Sequence, residues 1–253
     1  MPPKVSIIMP VYNAEAFLGA ALQSVLDQTE TDWELWAVED ASLDLSDKIL
    51  TEFQKQTSRI HLIKNEKNEG AAKSRNAALE RAQGRWIAFL DADDIWAPDK
   101  LKRHLAFLTA QNAVFGATDY GVISQEGIQL ARRIVPARSD FKKLLKGNPI
   151  GTSTVIIARD TLGDLRFPDL HRRQDYALWL KLTQRGVICH GLHAPLTQYR
   201  RRTGSLSDNR MRAALATWQV YSTLPEISRM RAFMAYGTYL IRTSLKHLGH
   251  VDH

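Results

Sequence analysis

Trp86-Ile87-Ala88-Phe89-Leu90-Asp91-Ala92-Asp93-Asp94 is the stretch on which the fold turns. Its five leading apolar residues are too short for a helix and read as a buried strand. The carboxylates that follow emerge from the C-terminal end of that strand, where ligands bind in open α/β sheets. Hard cations take oxygen ligands, and Mg2+ is commonly held by one or two carboxylates together with substrate phosphates. On its own an Asp-x-Asp after a strand is equally turn chemistry, with Asp94 or Asp99 as a helix cap. The surrounding segments decide between the two.

Upstream, strand and helix signals alternate. Residues 5–9 read as a buried strand, and 14–26 carry Phe17, Leu18, Ala21, Leu22 and Val25 at helical spacing. A second strand is expected at 33–38, a helix at 45–53, a third strand at 60–64, and a helix at 71–82 that stops at Gly84. This alternation argues βαβ units in a mainly parallel sheet flanked by helices, with right-handed crossovers that bring the strand ends to one crevice. Downstream, Pro98 opens a helix over 99–109. The pattern then changes. A hairpin is expected from 117–123 and 129–135 around Glu126-Gly127, a strand at 153–158, an amphipathic helix at 175–184, and a helical stretch over 211–248 interrupted at Pro225.

With 253 residues, 44% of them hydrophobic, the chain can bury a core large enough for one domain with a smaller appendage. The single cysteine, Cys189, allows no internal disulfide and no cysteine metal cluster, and suits a reducing cytoplasm. No signal peptide is visible before the first strand, and no apolar run approaches the ~20 residues of a membrane helix. Of the net charge of +7, +6 falls between Arg200 and His253, where nine Lys and Arg stand against three acids. A basic tail on a neutral body implies an anionic partner: substrate phosphates, anionic lipid or nucleic acid. No nucleic-acid reader motif is present and the charge does not follow one helix face, so no nucleic-acid partner is expected.

Four segments follow the first four strands: Pro10-Val11-Tyr12-Asn13, Val38-Glu39-Asp40-Ala41-Ser42, Asn68 to Asn76 with Gly70 and Arg75, and Asp91-Ala92-Asp93-Asp94. Together with Gln174-Asp175-Tyr176-Ala177-Leu178-Trp179-Leu180 and Tyr199-Arg200 to Ser205-Leu206-Ser207, they resemble glycosyltransferase family 2, the inverting enzymes of GT-A (Rossmann-like) fold. The resemblance covers about residues 4 to 210, and the ordered set of six motifs is far more specific than any one of them.

The resemblance implies nucleotide contacts from Pro10, Val11, Tyr12, Asn13, Glu39, Asp40, Asn68, Gly70, Arg75, Asp91, Ala92 and Asp93. Within that set Tyr12 stacks on the base, Asp40 accepts the uracil imide N–H, and Asp93, with Asp91 nearer the ribose, ligates Mg2+ or Mn2+ on the diphosphate. Taken singly, each has a plain alternative: a core aromatic for Tyr12, an Asx-turn for Asp40, a solvated helical charge for Arg75. Asp175 is the expected catalytic base, since an inverting transfer needs one carboxylate to take the acceptor hydroxyl proton; a helix N-cap is its local alternative. Gln174 replaces the acidic residue usual before this Asp, removing a like charge. Gln174 and Trp179 are expected at the acceptor.

Arg200, Arg202 and Ser205 match a loop that closes over the diphosphate, with Arg202 where many relatives have His. Glu39 and Ala41 stand where relatives often have Asp and Gly or Asn. His171 and His193 flank the expected site without metal-like spacing.

The region from Gly147 to Thr154, followed by Arg172 to Leu182, looks closest to bacterial cell-surface polysaccharide enzymes of the teichuronic-acid and O-antigen type. That likeness implies a UDP-sugar donor and a glycan acceptor on polyprenyl diphosphate. It divides the chain into a nucleotide-sugar-binding half (1–115), an acceptor-binding and catalytic half (116–208) and a basic helical tail (209–253). Aromatic and basic residues interleave in the tail, a mix that suits an anionic membrane surface and a cytoplasmic enzyme peripheral to the inner face of the membrane. Two other classes compete with a transferase: a nucleotide-sugar-binding protein without turnover, in which Asp175 only caps a helix, and a basic nucleic-acid binder.

Overall fold

A computed structural model describes residues 2–201, 210–222, 230 and 236–238. The first half is βαβ throughout: β1 (Val5–Val11), α1 (Glu15–Leu26), β2 (Trp33–Glu39), α2 (Ser46–Gln56), β3 (Ile60–Lys64), α3 (Ala71–Arg81) and β4 (Trp86–Phe89). There follow β5 (Ile95–Trp96), α4 (Lys100–Ala110), β6 (Phe115–Ile123), β7 (Gln129–Arg133), β8 (Arg138–Ser139) and α5 (Phe141–Leu144). A 3₁₀ turn (Thr152–Thr154) then leads into β9 (Ile156–Ala158), α6 (Arg159–Leu162), α7 (Gln174–Gln184), β10 (Cys189–Arg200) and α8 (Arg210–Ser222).

All ten strands among the described residues join one sheet, ordered β3-β2-β1-β4-β9-β6-β10-β5, with β7 on β6 and β8 on β10. β1, β2, β3 and β4 pair in parallel, as does β6 with β10, while β9 runs antiparallel between β4 and β6. The sheet therefore runs unbroken from the first half of the chain into the second.

Strand alternation builds the layers. Val5, Ile7, Met9 and Val11 face a core shared with α1, α2 and α4, whereas Ile8 faces a second core with α3 and α7. Such two-sided burial is what a near-continuous apolar strand implies. At the centre of the second core Trp179 sits 5.3–6.3 Å from Phe89, Phe115 and Phe167 in tilted and edge-on contacts. Trp179 is fully buried. Its expected place at the acceptor is thus corrected: the ring is a core anchor, because α7 turns Ala177, Leu178, Leu180 and Leu182 inward along with it.

The stop at Gly84 has a steric cause. A Cβ there would lie 2.4 Å from the Ser6 backbone nitrogen, and the Gly84 N–H donates to Ser6 Oγ at 2.7 Å.

Three expectations shift. The strand expected over 153–158 begins as the 3₁₀ turn, because Thr154 folds its hydroxyl back onto the Gly151 carbonyl (2.6 Å). β10 was not legible in advance, since register shifts at Leu192, Pro195 and Thr197 break its period of two. Of the expected C-terminal helix, α8 and residues 230 and 236–238 are helical, and the remainder lies outside the described residues.

Candidate active site

The loops after β1, β2 and β3 are locked together at the carboxyl edge of the sheet. Asn13 (φ 46°), Ala41 (φ 57°) and Gly70 (φ 87°) all take left-handed backbone there. For Ala41 this is strained geometry, and it explains why Gly or Asn suits the position better. Glu39 supports the turn: its carboxylate accepts the N–H groups of Ala41 (3.2 Å) and Ser42 (2.6 Å). Asn13 laces the loops by accepting the Leu43 N–H at 2.8 Å. Both residues were expected at the nucleotide, and neither lines the cleft; their side chains are committed to holding the loops.

Asp40 is buried and organises the third loop. Its Oδ1 accepts from Asn65 Nδ2 (2.6 Å) and the Glu69 N–H (2.9 Å), and its Oδ2 accepts the Gly70 N–H (2.8 Å). A carboxylate offers about four acceptor positions, so one remains on Oδ2, where Asp40 borders the cleft. Asn65 was missed by the sequence reading, whereas Asn68 is exposed and away from the cleft. Gly70 supplies backbone conformation rather than a ligand contact.

The Asp-x-Asp turn is braced from below. Asp91 N–H donates to Ser153 Oγ (3.0 Å), and Asp94 N–H donates to the Asp91 carbonyl (3.1 Å). Asp94 is fully buried and accepts the Arg200 N–H at 2.9 Å. Burial, followed by the nearby charges of Asp93 and Asp91, pushes its carboxyl well above the usual carboxylate range.

Arg200 ends β10. Its guanidinium donates to the carbonyls of Asp93 (3.0 Å), Ser124 (3.2 Å) and Gln125 (2.8 Å). The expectation that Arg200 belongs to a diphosphate-closing loop is corrected, since a strand end and three carbonyls fix it. Arg202 and Ser205 lie outside the described residues.

Arg75, on α3, reaches across the cleft floor. Its Nη2 pairs with Asp91 Oδ1 at 2.5 Å. The Gln174 amide, oriented by its hydrogen-bond network, accepts from Arg75 Nη1 and donates to the Leu170 carbonyl, both at 3.0 Å. One guanidinium thus ties the Asp-x-Asp turn to the start of α7.

Asp175 occupies the first turn of α7. Its Oδ2 accepts from Asn148 Nδ2 and Thr152 Oγ1, both at 3.3 Å. Desolvation raises its pKa, against the lowering by the Tyr176 N–H, Arg75 and Arg173, while Asp91 pushes upward. Arg173 itself holds a left-handed backbone (φ 59°) as α7 begins.

These groups meet in one open cleft of about 660 Å³. Of the expected residues, Pro10, Val11, Tyr12, Asp40, Arg75, Asp91, Ala92, Asp93, Gln174 and Asp175 border it. Tyr12 presents its ring there, 45% exposed. Tyr120, Tyr199, His171, Arg172 and Arg173 also border it; Tyr199 opens one of the six motifs and His171 was noted beside the site, whereas no role had been given to Tyr120, Arg172 or Arg173. Cys189 is buried, and burial pushes its thiol up, as expected of an inert core residue. His193 lies instead against Asp119 at 3.4 Å.

The donor set fits a hard divalent cation held partly by substrate. Asp91 and Asp93 offer carboxylate oxygens on one wall, and no group of three or more metal-ligating side chains exists among the described residues. Two carboxylates with the rest from phosphate is the pattern preferred by Mg2+.

The profile of the family described as "Glycosyl transferase family 2" matches residues 6–162. TuaG of Bacillus subtilis (strain 168), whose name places it in teichuronic acid biosynthesis as a glycosyltransferase, is 40% identical over 94% of this chain and 94% of its own. WfgD of Escherichia coli, named UDP-Glc:alpha-D-GlcNAc-diphosphoundecaprenol beta-1,3-glucosyltransferase, is 37% identical over 88% of this chain and 87% of its own. Among solved structures, S. aureus TarS 1-349 in complex with UDP-GlcNAc superposes with a TM-score of 0.74 at 19% identity, covering 94% of this chain and 72% of that one. That likeness concerns the fold.

Proposed function

The chain belongs to glycosyltransferase family 2 and is a glycosyltransferase, and from that premise we propose that it transfers a sugar, with inversion, from a UDP-sugar to a hydroxyl of a glycan carried on polyprenyl diphosphate. The observation that carries this reading is that Asp40, Asp91, Asp93 and Asp175 border a single cleft. The donor and acceptor named for WfgD support it, as does the UDP-sugar held by TarS.

Each residue then has a task. Tyr12 stacks on the base at the cleft mouth, a contact worth about 1–3 kcal/mol per base. The remaining acceptor position of Asp40 takes the uracil imide N–H, which selects uridine. Asp91 and Asp93 would hold an Mg2+ or Mn2+ ion together with the donor's phosphates. When bound there, the cation supplies Lewis-acid stabilisation of the charge on the departing diphosphate. Asp175 takes the proton from the acceptor hydroxyl as it attacks the anomeric carbon. Its raised pKa makes it a better base than a solvated carboxylate, and Asn148 and Thr152 aim it. Arg75 holds Asp91 and Gln174 so that the cation wall and the base keep their spacing.

Residues 1–115 supply the donor wall and 116–208 the acceptor wall of a shared sheet, with 209–253 as the basic tail. Among the described residues no helix is long and apolar enough to cross a membrane. We place the enzyme in the cytoplasm, peripheral to the inner membrane face. Leu215 and Trp218 on α8 and Met230 are exposed, which supports contact with lipid.

A thermal-shift panel tests the donor assignment. UDP should stabilise the protein more than GDP or ADP, and only with Mg2+ or Mn2+ present; equal shifts for the three nucleotides, or shifts indifferent to chelator, would remove it. Sedimentation with anionic vesicles at low and high salt tests the membrane placement, and binding indifferent to lipid charge would count against it.

A further inference from the structure

The cleft has two walls of opposite electrostatic character. Its strand-end wall carries Asp40, Asp91 and Asp93, whereas the loop leading into α7 carries His171, Arg172 and Arg173 in succession. Arg75, the remaining described cation on the cleft, is engaged by Asp91 and Gln174. Three consecutive basic side chains on a cleft wall call for an anion, and the question is which one.

Geometry separates the candidates. In an inverting displacement the base and the leaving group stand on opposite sides of the anomeric carbon. The donor diphosphate therefore belongs with the Asp-x-Asp wall, across the reaction centre from Asp175. Arg173 and Arg172 lie two and three residues before Asp175, and successive Cα atoms are ~3.8 Å apart. They consequently sit on the base's side, where the acceptor binds. An acceptor sugar that presents a hydroxyl to Asp175 carries its anomeric substituent one ring away, within reach of a guanidinium from that loop.

Arg172 borders the cleft and carries an unmet hydrogen-bond donor. Its Nη1 is shut off from solvent and makes no hydrogen bond among the described residues. A buried guanidinium nitrogen without an acceptor is costly, and a diphosphate oxygen is an acceptor of matching geometry and charge.

We propose that His171, Arg172 and Arg173 form a subsite for the acceptor's own diphosphate, separate from the donor site and adjoining Asp175. This rests on the transferase reading and names the feature by which the acceptor is recognised: the anionic linker between sugar and lipid, in addition to the sugar. The subsite selects lipid-linked or other diphosphate-linked glycans over neutral glycosides.

The test is binding, so that it does not depend on knowing the acceptor sugar. Protein saturated with UDP and Mg2+ is titrated calorimetrically with farnesyl diphosphate, farnesyl monophosphate and farnesol. The subsite predicts that the diphosphate binds alongside UDP, that the monophosphate binds more weakly, and that farnesol is weakest. Arg172→Gln should weaken the diphosphate about tenfold or more, the loss of one charge-assisted contact, and leave the UDP affinity within about twofold. Arg172→Lys should recover part of the loss. Competition between farnesyl diphosphate and UDP would overturn the proposal, as would equal binding of farnesol, or a loss of UDP affinity in Arg172→Gln as large as the loss for the diphosphate. If UDP fails to bind the wild-type protein, the donor reading falls, while farnesyl diphosphate titrated alone still reports on the subsite.

Discussion

Replacing Asp175 by Asn separates catalysis from stability. The side chains are isosteric, so α7 keeps its shape and no cavity opens. The amide oxygen can still accept from Thr152 Oγ1, one of the two 3.3 Å contacts to Oδ2. What disappears is the capacity to take a proton. General-base catalysis contributes about 10²–10⁴-fold, so the barrier should rise by about 3–5 kcal/mol at 1.36 kcal/mol per tenfold.

Stability should move the other way. Burial raises the Asp175 pKa in the folded protein. Between the ordinary carboxylate value and that raised value, the folded protein holds a proton that the unfolded chain has released. Stability therefore falls as pH increases through this window and stays lower above it. Asn carries no charge to desolvate and lacks that slope. A gain of about 1 kcal/mol, common when an active-site group is relieved, would raise the melting temperature by about 2–4 °C for a chain of this size. Steady-state transfer rates and pH-dependent melting curves measure both halves. Wild-type kcat/KM should also decline on the acid side as Asp175 protonates. A variant that retains more than a tenth of wild-type turnover, or that melts several degrees lower, refutes the assignment of Asp175 as a desolvated base.

Tyr12→Ala should raise the donor KM about 5-fold to 150-fold, the equivalent of about 1–3 kcal/mol of base stacking, with kcat little changed; steady-state kinetics with the donor varied would show it, and a fall in kcat at constant KM would contradict the stacking role. Trp179→Ala should lower stability by about 3–5 kcal/mol by opening a cavity among Phe89, Phe115 and Phe167. Denaturant unfolding reads that loss, and a stable variant with only a higher acceptor KM would return Trp179 to the acceptor site. Lys100 is fully buried with its ammonium 4.3 Å from the Trp96 ring, and burial lowers its pKa to about 7. Between that value and the ordinary 10.5 the unfolded chain holds a proton the folded protein lacks, so Lys100 makes stability rise with pH across the window. Lys100→Met should flatten that rise and stabilise the protein below pH ~7 by at most about 5 kcal/mol; melting curves from pH 6 to 10 decide, and an unchanged slope would exclude the effect.

The donor wall was legible in the sequence because short apolar strands and their loops announce themselves locally. Residues 86–94 and 33–42 give strand, then carboxylate, with no need of distant partners. The acceptor wall was less so. Asn148 and Thr152 become relevant only when the 3₁₀ turn brings them onto Asp175, which lies more than twenty positions away in sequence. Tyr199 enters the cleft on β10, whose bulges hide its alternation. Glu39 and Arg200 were misread for a single reason: charge at a strand end suggests a ligand, whereas here both side chains satisfy backbone groups of neighbouring loops. Trp179 shows the converse: it shares a helix face with Asp175, but one turn further along α7 that face has left the cleft and packs on Phe89, Phe115 and Phe167.

Charge in the cleft links these observations. Asp91, Asp93, Asp94 and Asp175 converge on a floor where Arg75 is the cation that meets Asp91 directly. Desolvation is the leading cause of the raised pKa at both Asp94 and Asp175, and carboxylate repulsion adds to it. Gln174 limits that repulsion: an acid there would add a negative charge next to Asp175, whereas the amide accepts from Arg75 without one. A cation on Asp91 and Asp93 would offset that repulsion and let the donor diphosphate approach the same wall. Any ligand bound only by the folded state stabilises it by mass action. Carboxylates that repel a bare diphosphate from that wall are thus the physical reason UDP is expected to stabilise the protein only with Mg2+ or Mn2+ present.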